Sequence, residues 1–98
     1  MSNVLITVEL PTERESGQPL SLTDIDRVDI ELSTGSAFAL VDSIIAPGTT
    51  LQVNDLPNGA VVFRAIVYDL NGKASSNFDV AFDNSGPKAV TSMTVTVI

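Results

Sequence analysis

Short runs of alternating apolar and polar residues, each cut off by Gly, Pro or Asn, constrain this chain more than any other feature. Successive side chains of a strand point to opposite faces, so a strand with one buried face needs a sequence period of two. Arg27-Val28-Asp29-Ile30-Glu31-Leu32-Ser33 has that period most clearly: Val28, Ile30 and Leu32 turn inward, while Arg27, Asp29 and Glu31 turn outward. Threonine, valine and isoleucine are plentiful, and these are the residues that suit a pleated, half-buried surface.

The same reading places further strands along the chain. Residues 4–10 alternate, with Val4, Ile6, Val8 and Leu10 on one face, and Pro11 ends the run because proline cannot donate to a ladder. Residues 12–19 are a polar loop; Leu20 and Leu22 tuck under the sandwich edge, and residues 21–26 form a short turn. Thr34-Gly35-Ser36 turns the chain into a strand over 38–45 that is apolar on both faces, and Pro47-Gly48 breaks it. Leu51, Val53 and Leu56 mark another strand, closed by Pro57-Asn58-Gly59. In residues 60–70, Val61, Phe63, Ala65 and Val67 share one face, and Val62, Arg64, Ile66 and Tyr68 the other. Asn71-Gly72 is a favoured hairpin turn, and residues 76–82 return with Phe78, Val80 and Phe82 facing one way. With a last strand near the C-terminus the count is seven, the number and spacing of an immunoglobulin-like β-sandwich.

Composition excludes several kinds of chemistry. The 98 residues suit one domain, and an apolar content of 44% is enough for a core. With no cysteine there is no disulfide framework or thiolate, and with no histidine the commonest general base and metal ligand is missing. Ser75 and Ser76 therefore have no triad partner. Asp24 and Asp26 lack the glycine and terminal acid of a calcium loop, and Asp79, Asp83 and Asn84 are no better placed. Lys73 in Asn71-Gly72-Lys73 belongs to a turn rather than a phosphate loop, and Arg14 and Arg64 read as surface ion-pair partners. A net charge of −7 repels phosphate backbones, which argues against nucleic acid as a partner. No apolar run approaches the roughly 20 residues that span a bilayer, so no membrane partner is expected. The start, Met1-Ser2-Asn3-Val4, lacks the basic and apolar regions of a signal peptide. The expectation is a non-enzymatic protein with no cofactor and no metal, made and kept in the cytoplasm or released by lysis.

Three stretches resemble bacterial and phage fibronectin type III domains over residues 4–82. They are Pro11-Thr12 with Glu15-Ser16-Gly17-Gln18-Pro19-Leu20; Asp24-Ile25-Asp26-Arg27-Val28-Asp29-Ile30; and Leu51-Gln52-Val53-Asn54-Asp55-Leu56-Pro57-Asn58-Gly59, continued by Phe63-Arg64-Ala65 and by Tyr68-Asp69-Leu70-Asn71-Gly72-Lys73-Ala74-Ser75. The family usually carries a tryptophan where Val8 stands and a tyrosine where Val61 stands, so this chain is a divergent relative. Phe38, Phe63, Phe78 and Phe82 are expected to fill the volume of the two absent rings.

On this alignment residues 4–10 are the family's second strand, and the first is missing from the N-terminus. A segment of its description stands instead at the C-terminus: Pro87, then Met93, Val95 and Val97 on one face with Thr94, Thr96 and Ile98 on the other. The expected organisation is a sandwich over 1–85, followed by a linker and strand over 86–98. That strand has three possible places: folded back on its own sandwich, given to a neighbouring subunit, or serving as the seventh strand with residues 75–84 as a long hairpin arm. A return in cis is strained, because residues 83–90 reach at most about 26 Å, whereas strands of 8 to 10 residues make a sandwich roughly 30 Å long. Left uncovered, residues 4–10 would be a long apolar edge.

The resemblance implies a phage virion accessory role: a capsid decoration protein or small tail-associated subunit, with copies of itself or capsid and tail proteins as partners. Interface candidates are Val62, Ile66 and Tyr68, an outward apolar stripe, together with Met93, Val95 and Val97. The alternative is a carbohydrate-binding or adhesion module of a larger secreted protein, although Tyr68 alone offers a ring to a sugar and Arg-Gly-Asp is absent.

Overall fold

Two antiparallel sheets hold six strands among residues 2–98, which the computed structural model describes. The strands are β1 (Ser2–Thr7), β2 (Ile25–Ser33), β3 (Ala39–Ile45), β4 (Thr50–Leu56), β5 (Ala60–Asp69) and β6 (Phe78–Asp83). One sheet pairs β1 with β4; the other has the order β3-β2-β5-β6. The fold is thus all-β, and the 3-10 turn Leu22–Asp24 is the one helical element among the described residues.

The sheets meet through the faces that period two marks out. Val28, Ile30 and Ile44 form the buried centre, with Ile6, Val8, Leu10, Leu51, Phe63, Ala65 and Val67 packed against it. Val8 and Leu10 keep their inward phase beyond the end of β1, which begins and ends earlier than the alternation over 4–10 suggests. The apolar 38–45 run resolves as an edge strand with Ile44 inside and Leu40, Val41 and Ile45 exposed. Leu22 is also exposed; Ile25, after the Ser21 capping box, takes the buried position instead.

Leu51, Val53 and Leu56 do not keep strict period two, and the register shows why. Val4 lies opposite Val53 but Ser2 lies opposite Leu56, so β4 carries one extra residue. Asp55 absorbs it at φ +58°, and its N–H donates to Asn3 Oδ1 at 3.1 Å. Both Val53 and Leu56 can then be buried.

The Pro57-Asn58-Gly59 turn marks what is here termed the near pole, where β1 begins and β6 ends; the 70–77 loop marks the far pole. Gly59 stands at φ +114°, and a Cβ there would meet nothing within 4 Å. The cost of a side chain is therefore conformational. Gly59→Ala is expected to lose roughly 1–3 kcal/mol in urea unfolding, with an unchanged slope.

The seventh strand is the main correction. β6 pairs with β5 from Phe78 to Asp83 as the second arm of a hairpin, and it is the last strand among the described residues. Residues 84–98 lie in neither sheet and leave the sandwich as an extended arm. Asn84 roots it at the near pole: its N–H donates to Gly59 O at 2.9 Å, and its side-chain amide donates to Pro57 O at 2.9 Å. The Cα radius of gyration is 19.1 Å, against about 13 Å for a compact chain of this length. The extents of 73 × 23 × 21 Å place the excess along one axis. Instead of folding back, the arm points away from its own sandwich.

Candidate functional site

Between β1 and β6 the sandwich is open. Each is the last strand of its sheet on that side, so each presents an unpaired backbone edge within this chain. Val4, Ile6, Val8 and Leu10 form one wall and Phe78, Val80 and Phe82 the other, with Val28, Ile30 and Phe63 in the floor. The groove has a volume of about 800 Å³. Phe78 is 71% exposed, Val80 51% and Phe82 39%, an apolar stripe that nothing in the described chain covers.

This opening overturns the expectation that four phenylalanines refill the core. Phe63 alone of the four packs against the buried centre. Phe38 lies on the outer face, with the Arg64 guanidinium 3.7 Å from its ring centroid. Phe78 and Phe82 point the right way, but they stand on an edge strand with no neighbour to close over them. The space that these rings leave unfilled between the sheets, beside Val8, is the groove.

No family model, curated protein or solved structure matches this chain.

The loop over 11–20 is fixed across the far pole, at that end of the groove. Arg14 Nη1 lies 3.0 Å from Asp69 Oδ2, and the Ser76 N–H donates to Glu15 Oε1 at 2.8 Å. Asp69 is 7% exposed and also accepts the N–H groups of Asn71 and Lys73, both at 2.9 Å. The Lys73 N–H first, and then Arg14, hold its carboxyl below the usual aspartate value. A depressed carboxylate contributes stability that is complete above the unfolded-state value and is lost as pH falls through the folded one. Acid unfolding should accordingly set in below the ordinary aspartate range. Asp69→Asn is expected to lower the melting temperature at neutral pH and to flatten its dependence on pH in that acidic window, as followed by circular dichroism.

The outer face of the larger sheet mixes apolar residues with paired charges. Val62, Ile66 and Tyr68 are half-buried there. Arg27 lies over the Tyr68 ring at 4.3 Å while reaching Asp26 at 2.7 Å and Asp29 at 2.9 Å. Arg64 grips Asp79 through two hydrogen bonds of 2.9 and 3.0 Å. The structure does not bring this stripe together with Met93, Val95 and Val97, which stand on the arm, 82%, 89% and 98% exposed.

The acidic residues have local work. Asp24 accepts the Ser21 N–H in the capping box, and Asp26 pairs with Arg27. Among the described residues no three acidic groups gather where a metal ion could bind. Ser75 Oγ accepts the Val67 N–H and donates to Ser76 O, a strand-end support. Sequence reasoning singled out the uncovered 4–10 edge but not its opposite wall. The period-two trio Phe78, Val80 and Phe82, set beside an absent covering strand, carried that signal.

Proposed function

We propose that the protein is a non-enzymatic structural subunit of a bacteriophage virion, a capsid decoration or small tail-associated protein. It acts by joining copies of itself or shell proteins through its strand edges. The observation that carries this reading is the pairing of an unfilled apolar groove with an extended arm that pairs with no strand among the described residues. Burial of side chains such as Met93, Val95 and Val97 stabilises by about 1.5–3 kcal/mol each, and an open strand edge supplies backbone partners for the incoming chain. The placement in a virion rests on the fibronectin type III resemblance. A glycan site finds less support, since Tyr68, its expected platform, lies beneath Arg27.

Two measurements test the reading. Peptides of this chain should appear by mass spectrometry in density-purified phage particles, in fixed ratio to the shell proteins; their presence in the unpelleted lysate alone would overturn the virion placement. Light scattering should give a mass above the 10.3 kDa of one chain, rising with concentration. A constant monomer would remove self-joining.

A further inference from the structure

We infer that the groove between β1 and β6 is an acceptor site for the C-terminal arm of a second copy of this chain, with Met93, Val95 and Val97 as the inserted residues. This deepens the subunit reading above and rests on it.

Three features of the structure select this occupant. The first is periodicity. The inward residues of β1 and its extension, Val4, Ile6 and Val8, are spaced by two, as are Phe78, Val80 and Phe82 on the other wall and Met93, Val95 and Val97 on the arm. An antiparallel register that sets Val97 beside Val4, Val95 beside Ile6 and Met93 beside Val8 places three apolar arm residues over the groove in one pass. Thr94, Thr96 and the last residue, Ile98, then face away from the groove.

The second feature is direction. β1 runs from the near pole to the far pole, so a strand antiparallel to it must enter at the far pole. A chain's own arm is rooted by Asn84 at the near pole and would first have to travel the length of the sandwich. A second copy placed end to end delivers its arm to the far pole without any return.

The third is reach. Residues 84–98, extended at roughly 3.3 Å each, cover about 50 Å, and the long axis of 73 Å shows the arm held clear of its own domain. Each copy therefore offers an arm at one end and an acceptor groove at the other. Such head-to-tail contacts produce rings or open filaments rather than a closed two-fold dimer.

The test uses two full-length variants. Val80→Asp puts a charge in the groove wall and leaves the arm intact; Val95→Asp puts a charge on the arm and leaves the groove intact. Each alone should remain at the mass of one chain, and an equal mixture should give a two-chain species that grows no further. A synthetic peptide of residues 88–98 should bind the Val95→Asp chain one to one. Its own Val95→Asp version should bind about 100-fold more weakly, because a buried carboxylate has no partner there. Circular dichroism identifies any variant that fails to fold; Phe78→Asp and Val97→Asp then serve as the second pair.

A mixture that stays monomeric, or variants that assemble alone, would overturn the proposal. Peptide binding by the Val95→Asp chain beside a parent that is monomeric at every concentration would assign the groove to the chain's own arm instead. No peptide binding at all would leave the groove to a strand from a different protein, again against the proposal. If the chain is found in virions but these links fail, the acceptor site is wrong and the virion reading stands. If the links form but the chain is missing from particles, the acceptor site stands and the virion reading is wrong.

Discussion

Replacing Ile30 with alanine should destabilise the folded chain by roughly 2–5 kcal/mol. Ile30 is 1% exposed and stands with Val28 and Ile44 at the contact of the two sheets. Domains of this size are stable by only about 5–15 kcal/mol, so this one side chain represents a large share of the margin. The groove lies directly over Ile30, which bears on where in the range the loss falls. A wall that can relax inward lowers the cavity cost, and a wall held by an inserted strand cannot. The substitution should therefore cost more in assembled protein than in dilute monomer. Urea unfolding followed by circular dichroism at two protein concentrations measures both values. A loss under about 1 kcal/mol at both would mean that the centre of the sandwich lies elsewhere.

Ending the chain at Gly86 should abolish assembly and leave the sandwich folded. The removed residues make no sheet pairing within their own chain, and Asn84, the arm's root, is retained. The effect should appear in how melting depends on concentration. A partner that binds only the folded state stabilises it by about 2.7 kcal/mol at a hundred times its dissociation constant. The parent's melting temperature should accordingly rise with protein concentration. The shortened chain should melt at one temperature throughout, near the dilute-parent value. Its groove can no longer be closed by any arm, so it should also be the more prone to aggregate when concentrated. A shortened chain that kept the concentration dependence would place the contact on another surface.

The sandwich was legible because its strands are half-buried. Where one face meets a core and the other meets water, as in β2, alternation states both the strand and its orientation. The reading weakened wherever that contrast disappeared. The 38–45 run carries apolar residues on both faces, and only burial shows that Ile44 is the inward residue. In β4 the spacing of Leu51, Val53 and Leu56 looks irregular until the extra residue at Asp55 is placed. The groove was half legible: the apolar alternation over 4–10 marked a face and an edge that needed a cover. Its other wall was not legible, because an inward-facing Phe78 or Phe82 has the same sequence pattern whether or not another strand lies above it. Where the arm goes was beyond sequence reasoning, since three placements satisfied the same alternation.

The root of the arm has a metric consequence. Asn84 clamps the chain to the 57–59 turn, so the tether between one sandwich and the residues it delivers starts from a fixed point. If Met93 is the first residue seated, residues 85–92 set the separation of successive copies at no more than about 26 Å of tether. The spacing of a stack would then be written in covalent length rather than in the fit of one surface against another. Two residues inserted beside Gly86 would lengthen that period by up to about 7 Å without touching either the plug or its socket.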